Sequence, residues 1–281
     1  MSEKREAAAP VRPAPAGNTA TGTLKLIAVC FMLIDHLGVV VYPQIEEMRI
    51  IGRIAFPIYC WCMVVGFHYT RSVPKYLGRV LLTGVLVQPL YAFVMKHVGN
   101  TGNFLRDYFA VQPSIFLTLF LALAALWGIR EKKLLSQIWA PALALILATM
   151  LNADYGWKGV LFIILLYAAR GSRSSIAALM IAYFLFWGTF YTTTKSLFGV
   201  PINFSSPPRW MAMNPVLTSL WRSLAVPASS LFRMETYGLL SMPFILIPFR
   251  KNIRLPAWAS YGLYPAHLLI VLLFRAFYGL V

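Results

Sequence analysis

Long apolar stretches separated by short basic clusters constrain this chain more than any other feature of its sequence. A membrane-spanning helix needs about 20 mostly apolar residues, because each residue adds about 1.5 Å along the helix axis. Hydrophobic residues make up 59% of the chain and charged residues 12%. In soluble domains, hydrophobic residues make up about 45–50% and charged residues about 25%. We therefore predict an all-α, polytopic integral membrane bundle rather than a soluble domain.

The apolar stretches predict about nine transmembrane helices, two of them short. The connection 195–234 is rich in Pro, Ser and Asn, and we expect it to form a re-entrant or interfacial segment. The predicted spans are 24–43, 51–69, 77–95, 113–129, 135–151, 157–169, 174–192, 235–249 and 258–280.

The N-terminal segment, residues 1–23, is rich in Ala, Pro, Gly and Thr. Such a composition cannot bury a core, so we expect a disordered cytoplasmic tail. No small-residue cleavage site follows a short apolar region, so we expect the first apolar stretch to remain as a span and not as a signal peptide. Residues 24–281 are then predicted to form one transmembrane domain.

Lysine and arginine fall in every other connection between the spans, and this pattern predicts the orientation. Cytoplasmic loops carry the excess of these residues, so we expect the N-terminus in the cytoplasm and the C-terminus outside. The net charge of +16 suits an anionic lipid surface, and we expect membrane lipids, not nucleic acid, as partners. The basic clusters contain Lys4, Arg5, Arg12, Lys25, Arg71, Lys75, Arg79, Arg130, Lys132, Lys133, Arg170, Arg173, Arg250, Lys251 and Arg254.

The cysteines do not predict a metal or redox site. Cys30, Cys60 and Cys62 lie inside apolar stretches, and we expect buried thiols. The acidic residues and histidines also lack the spacing of metal ligands, so no metal is expected.

Asp35 and His36 place two ionisable side chains in the first span, where charge is costly. His36 follows Leu24 by about 18 Å of helix. That depth lies slightly beyond the midplane of a core about 30 Å thick. The pair suits a general base with a carboxylate that orients it or pairs with a neighbouring helix. The alternative is a buried ion pair that only fixes helix packing.

The second predicted span opens with Arg49, Arg53 and Pro57, which share one helix face at four-residue spacing. Pro57 is expected to kink the helix and free a backbone carbonyl. Arg49 suits an interfacial side chain, whereas Arg53 lies deeper and needs a partner. We expect that partner to be Asp35.

The last predicted span carries Tyr264 and His267, which are neighbours on one helix face. His267 lies about 14 Å past Trp258, at a depth similar to that of His36. At the cytoplasmic end of the second span and beyond it, His68, Arg71, Lys75 and Arg79 could meet a phosphorylated cofactor. The alternative for these basic residues is topology alone.

Taken in order, these motifs resemble the TraX family of conjugal-transfer membrane proteins. The Asp35-His36 pair, the Arg49 to Pro57 motif and the closing Tyr264 to His267 motif carry most of the resemblance, which covers roughly residues 24–275. The matching segments are 24–28, 32–38, 49–57, 66–71, 75–79, 154–161 and 261–269.

The resemblance implies an enzyme of the transmembrane acyltransferase group in the bacterial inner membrane. TraX-type proteins are associated with N-terminal acetylation of a conjugative pilin subunit. The group they resemble takes acetyl groups from cytoplasmic acetyl-CoA and uses a membrane-embedded histidine. The resemblance therefore implies acetyl-CoA as donor, a pilin, or another secreted peptide or glycan, as acceptor, and His36 as the base.

The other site residues follow from the chemistry of this reaction. Arg53 or Tyr264 could stabilise the oxyanion, and His267 could serve as base or proton carrier in place of His36. Asp154 and Tyr155 are expected to contact the acceptor amine. The residues expected to bind the phosphates of acetyl-CoA are Lys25, His68, Arg71, Lys75 and Arg79.

Two other functions remain open at this point. A proton-coupled transporter or flippase could use Asp35, His36 and His267 as a proton relay. A non-catalytic assembly factor could escort pilin without any chemistry. An acyltransferase differs from both because it must bind acetyl-CoA and label an acceptor.

Overall fold

Helices make up nearly all of the secondary structure, as the apolar stretches predict. A computed structural model describes residues 13–95, 112–194, 196–202, 204 and 206–279. The helices are α1 (Thr21–Val40), α2 (Glu46–Gly52), α3 (Ala55–Tyr69), α4 (Val73–Met95), α5 (Ile115–Glu131), α6 (Leu134–Met150), α7 (Gly156–Ala169), α8 (Arg173–Gly188), α9 (Arg209–Ala212), α10 (Pro215–Leu231), a 3₁₀ helix (Met234–Ser241), α11 (Met242–Leu246) and α12 (Ala257–Phe277). A two-stranded hairpin, β1 (Ser196–Leu197) and β2 (Val200–Pro201), precedes α9.

Four helical segments of the described chain are long and apolar enough to cross a membrane. They are α1, the joined α2 and α3, α4 and α12. The helices α6, α7 and α8 are apolar but shorter. The predicted eighth span, 235–249, is mostly a 3₁₀ helix followed by the five-residue α11. The structure thus shows an all-α protein of membrane type, and it does not confirm nine spans.

The centre of the core is α3, which is buried on nearly every side. The helices α1, α5, α7 and the 3₁₀ helix all pack against it. Because α1 also packs against α2, α4 and α12, it links α3 to helices from both ends of the chain. The side chains of Trp61 and Phe67 on α3 are fully buried.

A short break separates α2 from α3 at Arg53 and Ile54. Pro57, the third residue of α3, has no N–H to donate to the carbonyl of Arg53, so the regular helical ladder stops there. The predicted kink is therefore an interruption that lies one turn before the proline. It places the side chain of Arg53 at a turn instead of along a continuous helix face.

Residues 13–20 pack against the bundle, in contrast to the disordered tail predicted for residues 1–23. The Asn18 N–H donates to the Ile245 carbonyl at 2.7 Å, and the Trp61 indole donates to the Asn18 carbonyl at 2.6 Å. A Cβ on Gly17 would lie 2.6 Å from the Trp61 ring, so the backbone lies flat on that ring. Polar backbone contacts, which composition does not reveal, order this segment, whereas residues 1–12 lie outside the described part.

The connection between α8 and the 3₁₀ helix contains α10, whose exposed side divides into two faces. Val216, Leu220 and Leu224 form an exposed apolar face, and Trp221 and Ala225 point toward the bundle. The remaining face is polar and exposed, with Ser219, Arg222 and Ser223. This pattern suits a helix lying along a membrane surface, as predicted for the connection.

The cysteines correct one detail of the sequence analysis. Cys60 and Cys62 are buried on α3, as expected. Cys30 is exposed, because it lies on the outward face of α1, so its predicted burial inside the protein is wrong. An apolar surface is stable in lipid, and an apolar residue in a span can therefore face outward.

Candidate functional site

Two histidines from opposite ends of the chain meet at the centre of the bundle. The Nδ1 atom of His36 on α1 lies 2.8 Å from the Nε2 atom of His267 on α12. Both side chains are buried, with exposed fractions of 9% and 2%. The similar depths predicted for these two residues therefore correspond to a direct hydrogen bond. The pair can hold or transfer a proton in a region that excludes bulk water.

Tyr264 links the histidine pair to the interior of the protein. Its ring lies 4.8 Å from the ring of His267, centroid to centroid, at nearly a right angle. On the other side it contacts the ring of Phe116 at 4.9 Å. These contacts fix the orientation of His267, because an edge-to-face pair of rings has a preferred geometry.

Tyr264 also lines a cavity of about 400 Å³. Apolar and aromatic side chains, including Met32, Tyr59 and Phe116, form much of its wall. Its polar side chains include Lys25 in the second turn of α1 and Arg79 in the second turn of α4. We refer to the part of the cavity bounded by Lys25 and Arg79 as the basic mouth.

Two of the residues predicted to bind phosphate line this cavity. Lys25 and Arg79 line the cavity, whereas His68, Arg71 and Lys75 are not among its described lining residues. His68 packs edge-on against the ring of Tyr69, at a centroid distance of 4.9 Å. The sequence analysis missed other polar side chains of the cavity, because their positions depend on how α3, α4 and α12 pack. These are Tyr69, Thr70, Tyr76, Ser260 and Tyr261.

A network of charged side chains surrounds Asp35, the residue before His36. Arg53 donates to both oxygens of Asp35, at 3.0 and 3.2 Å, and to Glu235 at 2.9 Å. Arg49 forms a second ion pair with Asp35 at 3.0 Å. The predicted contact between Asp35 and Arg53 is therefore present, within a network of two arginines and two carboxylates.

The network directs Arg53 toward carboxylates and not toward the histidine pair. Its Nε atom donates to the Arg49 carbonyl, and its two terminal nitrogens donate to Glu235 and Asp35. The side chain is well buried, with 9% exposed. Tyr264, which lines the cavity, is therefore better placed than Arg53 to meet a charge that develops there.

Glu235 is a member of the site that the sequence analysis missed. It is an acidic residue at the start of an apolar segment, so the rule that singled out Asp35 could also have found it. The 3₁₀ helix that carries Glu235 packs closely on α8. A Cβ on Gly188 would lie 2.2 Å from the Thr236 hydroxyl, and one on Gly238 would lie 2.4 Å from the Phe184 ring.

Asp154 and Tyr155 lie in the turn between α6 and α7. The ring of Tyr155 stacks on Phe56 at a centroid distance of 3.7 Å. Burial raises the pKa of Asp154 to about 6; Arg53 and Arg49 lower it, and Asp35 and Glu235 raise it. The two residues thus lie within the electrostatic reach of the charged network.

Gly52 allows α1 and α2 to approach each other beside the network. A Cβ at this position would lie 2.2 Å from Oδ1 of Asp35 and 2.3 Å from its Cβ. We expect Gly52→Ala to lower the free energy of unfolding by at least about 1–3 kcal/mol, as overpacking does. Chemical unfolding in detergent measures this change.

Gly78→Ala is the matched control for that substitution. Gly78 lies within α4, and nothing lies within 4 Å of a Cβ placed there. Since alanine favours helix over glycine by up to about 1 kcal/mol, this variant should be as stable as the wild type or more stable. Equal destabilisation of both variants would contradict the close contact between Gly52 and Asp35.

Comparisons with known proteins place this arrangement in a family. No solved structure matches the chain significantly. The chain is 32% identical over 165 residues to the probable fimbrial assembly protein FimC, serogroup H1, of Dichelobacter nodosus. That match covers 57% of this chain and 67% of the relative. An uncharacterized protein of Rickettsia prowazekii (strain Madrid E) is 37% identical over 93 residues, which cover 33% of this chain and 35% of the relative.

The family model agrees with the resemblance inferred from the motifs. The model described as "TraX protein" matches residues 20–275. The match covers α1 to α12 and therefore includes His36, His267 and the charged network. The chain belongs to the TraX family.

Proposed function

We propose that this protein is a membrane-embedded acetyltransferase. It moves an acetyl group from acetyl-CoA on the cytoplasmic side to an acceptor amine presented from the opposite side. The observation that carries the proposal is the cavity that connects the basic mouth with Tyr264, which contacts the histidine pair. A thioester held in this cavity would have its carbonyl beside Tyr264, and the histidine pair, which Tyr264 contacts through His267, would lie one side chain further in.

The proposed setting is the bacterial inner membrane, with the chain crossing it about nine times. The N-terminus is cytoplasmic in this arrangement, because every other connection is rich in lysine and arginine. Lys25 and Arg79 of the basic mouth belong to that same basic side. The acceptor then approaches from the side of the charged network and Asp154.

The cavity fits the chemical parts of acetyl-CoA. Its volume of about 400 Å³ lies within the usual range of small-molecule pockets, about 300–1,000 Å³. The charges of Lys25 and Arg79 suit phosphate groups. The wall formed by Met32, Tyr59 and Phe116 suits the uncharged pantetheine arm. The cavity is too small for the whole donor, so the nucleotide part would lie outside the basic mouth.

The transfer step is an aminolysis of the thioester. The acceptor amine binds in its protonated form and first loses one proton to the surrounding water. The nitrogen of the neutral amine then bonds to the carbonyl carbon, and the carbon–sulfur bond breaks. Tyr264 donates a hydrogen bond to the oxygen that becomes negative. His36 takes the proton that the nitrogen loses and gives it to the departing sulfur. The products are an acetylated amine and the CoA thiol, and the protein ends in its starting state.

The proposed acceptor is the N-terminal amine of a pilin subunit. Membership of the TraX family and the name of the Dichelobacter nodosus relative, a fimbrial assembly protein, both support a pilus-related role. Charge also favours an amine, because the carboxylates outnumber the arginines around the network. Asp35, Glu235 and Asp154 act there against Arg49 and Arg53.

Acceptor binding is expected to weaken as the pH falls through about 6. The raised pKa of Asp154 means that this carboxylate is ionised above pH 6 and neutral below it. An N-terminal amine stays protonated in this range, since its pKa is about 7.7–8.0. We expect the KM for a pilin peptide to rise by up to about tenfold between about pH 7 and pH 5. Steady-state kinetics at a fixed concentration of acetyl-CoA measures this KM.

Asp154→Asn is the control for this pH dependence. The variant has no titrating carboxylate, so its KM should be high and nearly independent of pH over the same range. A wild-type KM that stays constant between about pH 7 and pH 5 would show that Asp154 does not bind the acceptor.

Radiolabelled acetyl-CoA tests the proposed function. The protein in nanodiscs is incubated with the donor, with and without a pilin N-terminal peptide, and both donor binding and peptide labelling are measured. The variant Lys25→Gln/Arg79→Gln should bind the donor more weakly. The matched control Lys132→Gln/Lys133→Gln changes two lysines of the α5–α6 connection, outside the cavity lining, and should bind it normally.

The outcomes separate this proposal from the alternatives. Labelled peptide supports an N-acetyltransferase, and donor binding with labelling of another secreted peptide or a glycan changes only the acceptor. A folded sample that binds no acetyl-CoA would overturn the proposal. Flux driven by a pH gradient in that sample would indicate a proton-coupled transporter or flippase, and pilin binding alone would indicate an assembly factor.

A further inference from the structure

We infer that the two central histidines have fixed and unequal roles, with His36 as the base and His267 as a positioning residue. His267 accepts a hydrogen bond from the Nδ1–H of His36, and the Nε2 atom of His36 carries the lone pair offered to the substrate. The catalytic roles of the two residues rest on the proposed acetyl transfer. The positions of the protons do not rest on it, because they follow from the contacts of the two rings.

One proton must lie between the two rings. The Nδ1 atom of His36 and the Nε2 atom of His267 are 2.8 Å apart, which is a hydrogen-bond distance. A neutral imidazole has one nitrogen that donates and one that accepts. The shared proton can therefore belong to His36 or to His267, and the other nitrogen of each ring decides between them.

The surroundings of His267 decide which of the two rings carries the shared proton. Its Nδ1 atom is buried and has no hydrogen-bond partner of regular geometry in the described structure. The backbone carbonyls of Leu263 and Tyr264, one turn earlier on α12, lie beside the ring. Since Nε2 faces His36, the nitrogen left to meet these carbonyls is Nδ1. A carbonyl oxygen is negative and can only accept, so it repels a lone pair on Nδ1 and attracts an N–H there.

The proton of neutral His267 therefore belongs on Nδ1, and its Nε2 atom accepts. It follows that His36 donates from Nδ1 and that its Nε2 atom carries a lone pair. When His36 takes a proton from the substrate, its bond to His267 remains and is strengthened by the positive charge. Tyr264 packs on His267 at 4.8 Å and holds the accepting ring in place.

Nitrogen NMR tests the assignment without any enzymatic activity. The chain has four histidines, so the full-length protein labelled with ¹⁵N-histidine in nanodiscs gives few signals. The variants His36→Gln and His267→Gln identify the signals of the pair. We expect both residues to be protonated on Nδ1 and unprotonated on Nε2. Protonation of either ring on Nε2 alone would overturn the inference, whether or not the protein acetylates anything.

Kinetics of matched variants tests the unequal roles. The amide oxygen of His267→Gln can still accept from His36, so we expect kcat to fall by about tenfold, with the KM for acetyl-CoA unchanged. His267→Leu offers no hydrogen-bond acceptor to His36, so its kcat should fall further. His36→Gln has no base, so its kcat should fall by about 10²–10⁴-fold. Size-exclusion profiles and melting temperatures check that each variant is folded.

The reverse order would overturn the assignment. If His36→Gln kept most of its activity and His267→Gln lost it, His267 would be the base. Equal losses in His267→Gln and His267→Leu, with both variants folded, would show that accepting a hydrogen bond is not the role of His267. A wild-type protein without transferase activity would count against the proposed function, and the NMR result would still decide the positions of the protons.

Discussion

Replacing His36 with alanine is expected to reduce acetyl transfer by at least about 10²–10⁴-fold, the usual contribution of a general base. The loss should appear in kcat, and the affinity for acetyl-CoA should stay unchanged, because His36 is not among the residues that line the described cavity. Separate measurements of donor binding and peptide labelling distinguish these two quantities. The reason is geometric: His36 contacts His267, and His267 contacts Tyr264, which lines the cavity.

Cys30→Ala is a suitable control, because Cys30 lies on α1 as His36 does but faces outward. This variant should transfer acetyl groups at the wild-type rate. If His36→Ala retained its activity while folded and able to bind the donor, His36 would not be the base. If His36→Ala lost donor binding as well, the role of His36 would be structural.

Replacing Arg53 with methionine is expected to cause the largest loss of stability. Arg53 is the only described side chain that pairs with both Asp35 and Glu235. Removing one partner from a buried ion network costs about 3–5 kcal/mol. Here the buried carboxylate of Glu235 loses its ion-pair partner, and Asp35 keeps only Arg49. Chemical unfolding in detergent, followed by intrinsic fluorescence, measures the change.

Part of the lost stability should be recovered when both carboxylates are neutralised together with Arg53. In Arg53→Met/Asp35→Asn/Glu235→Gln no carboxylate is left unpaired, so we expect this variant to be more stable than Arg53→Met alone. Arg222→Met is the matched control, since Arg222 is exposed on α10 and its loss should change stability little. If Arg53→Met were as stable as the wild type, Arg53 would not be needed to balance the buried carboxylates.

Much of the site could be predicted from the sequence, because depth along a helix follows from the rise per residue. His36 and His267 were expected at similar depth, and they form a hydrogen bond. Asp35 was expected to pair with Arg53, and it does so. These predictions concern residues inside long regular helices, where position in the sequence determines position in space. The catalytic roles assigned to these residues stay predictions.

The rest of the site depends on how irregular segments pack, and sequence patterns do not specify that. Glu235 reaches Arg53 because a 3₁₀ helix packs on α8 through Gly188 and Gly238. Asn18 is held by hydrogen bonds to the backbone carbonyls of Phe244 and Ile245, and a carbonyl of this kind is present at every residue whatever its side chain. Arg71 and Lys75 lie near Arg79 in the sequence but do not line the cavity. Arg71 precedes α4, and the α4 residues that line the cavity are Tyr76, Arg79 and Val80.

The contacts of the segment 13–20 have a consequence for the order in which the chain assembles. The side chain of Asn18 donates to the carbonyl of Phe244 across 226 positions of sequence, and Ala16 N–H donates to the carbonyl of Arg170. The segment is made early by the ribosome, but its partners are made much later. Docking of the N-terminal segment is thus a late step of biogenesis that joins the two ends of the chain after α11 has been synthesised.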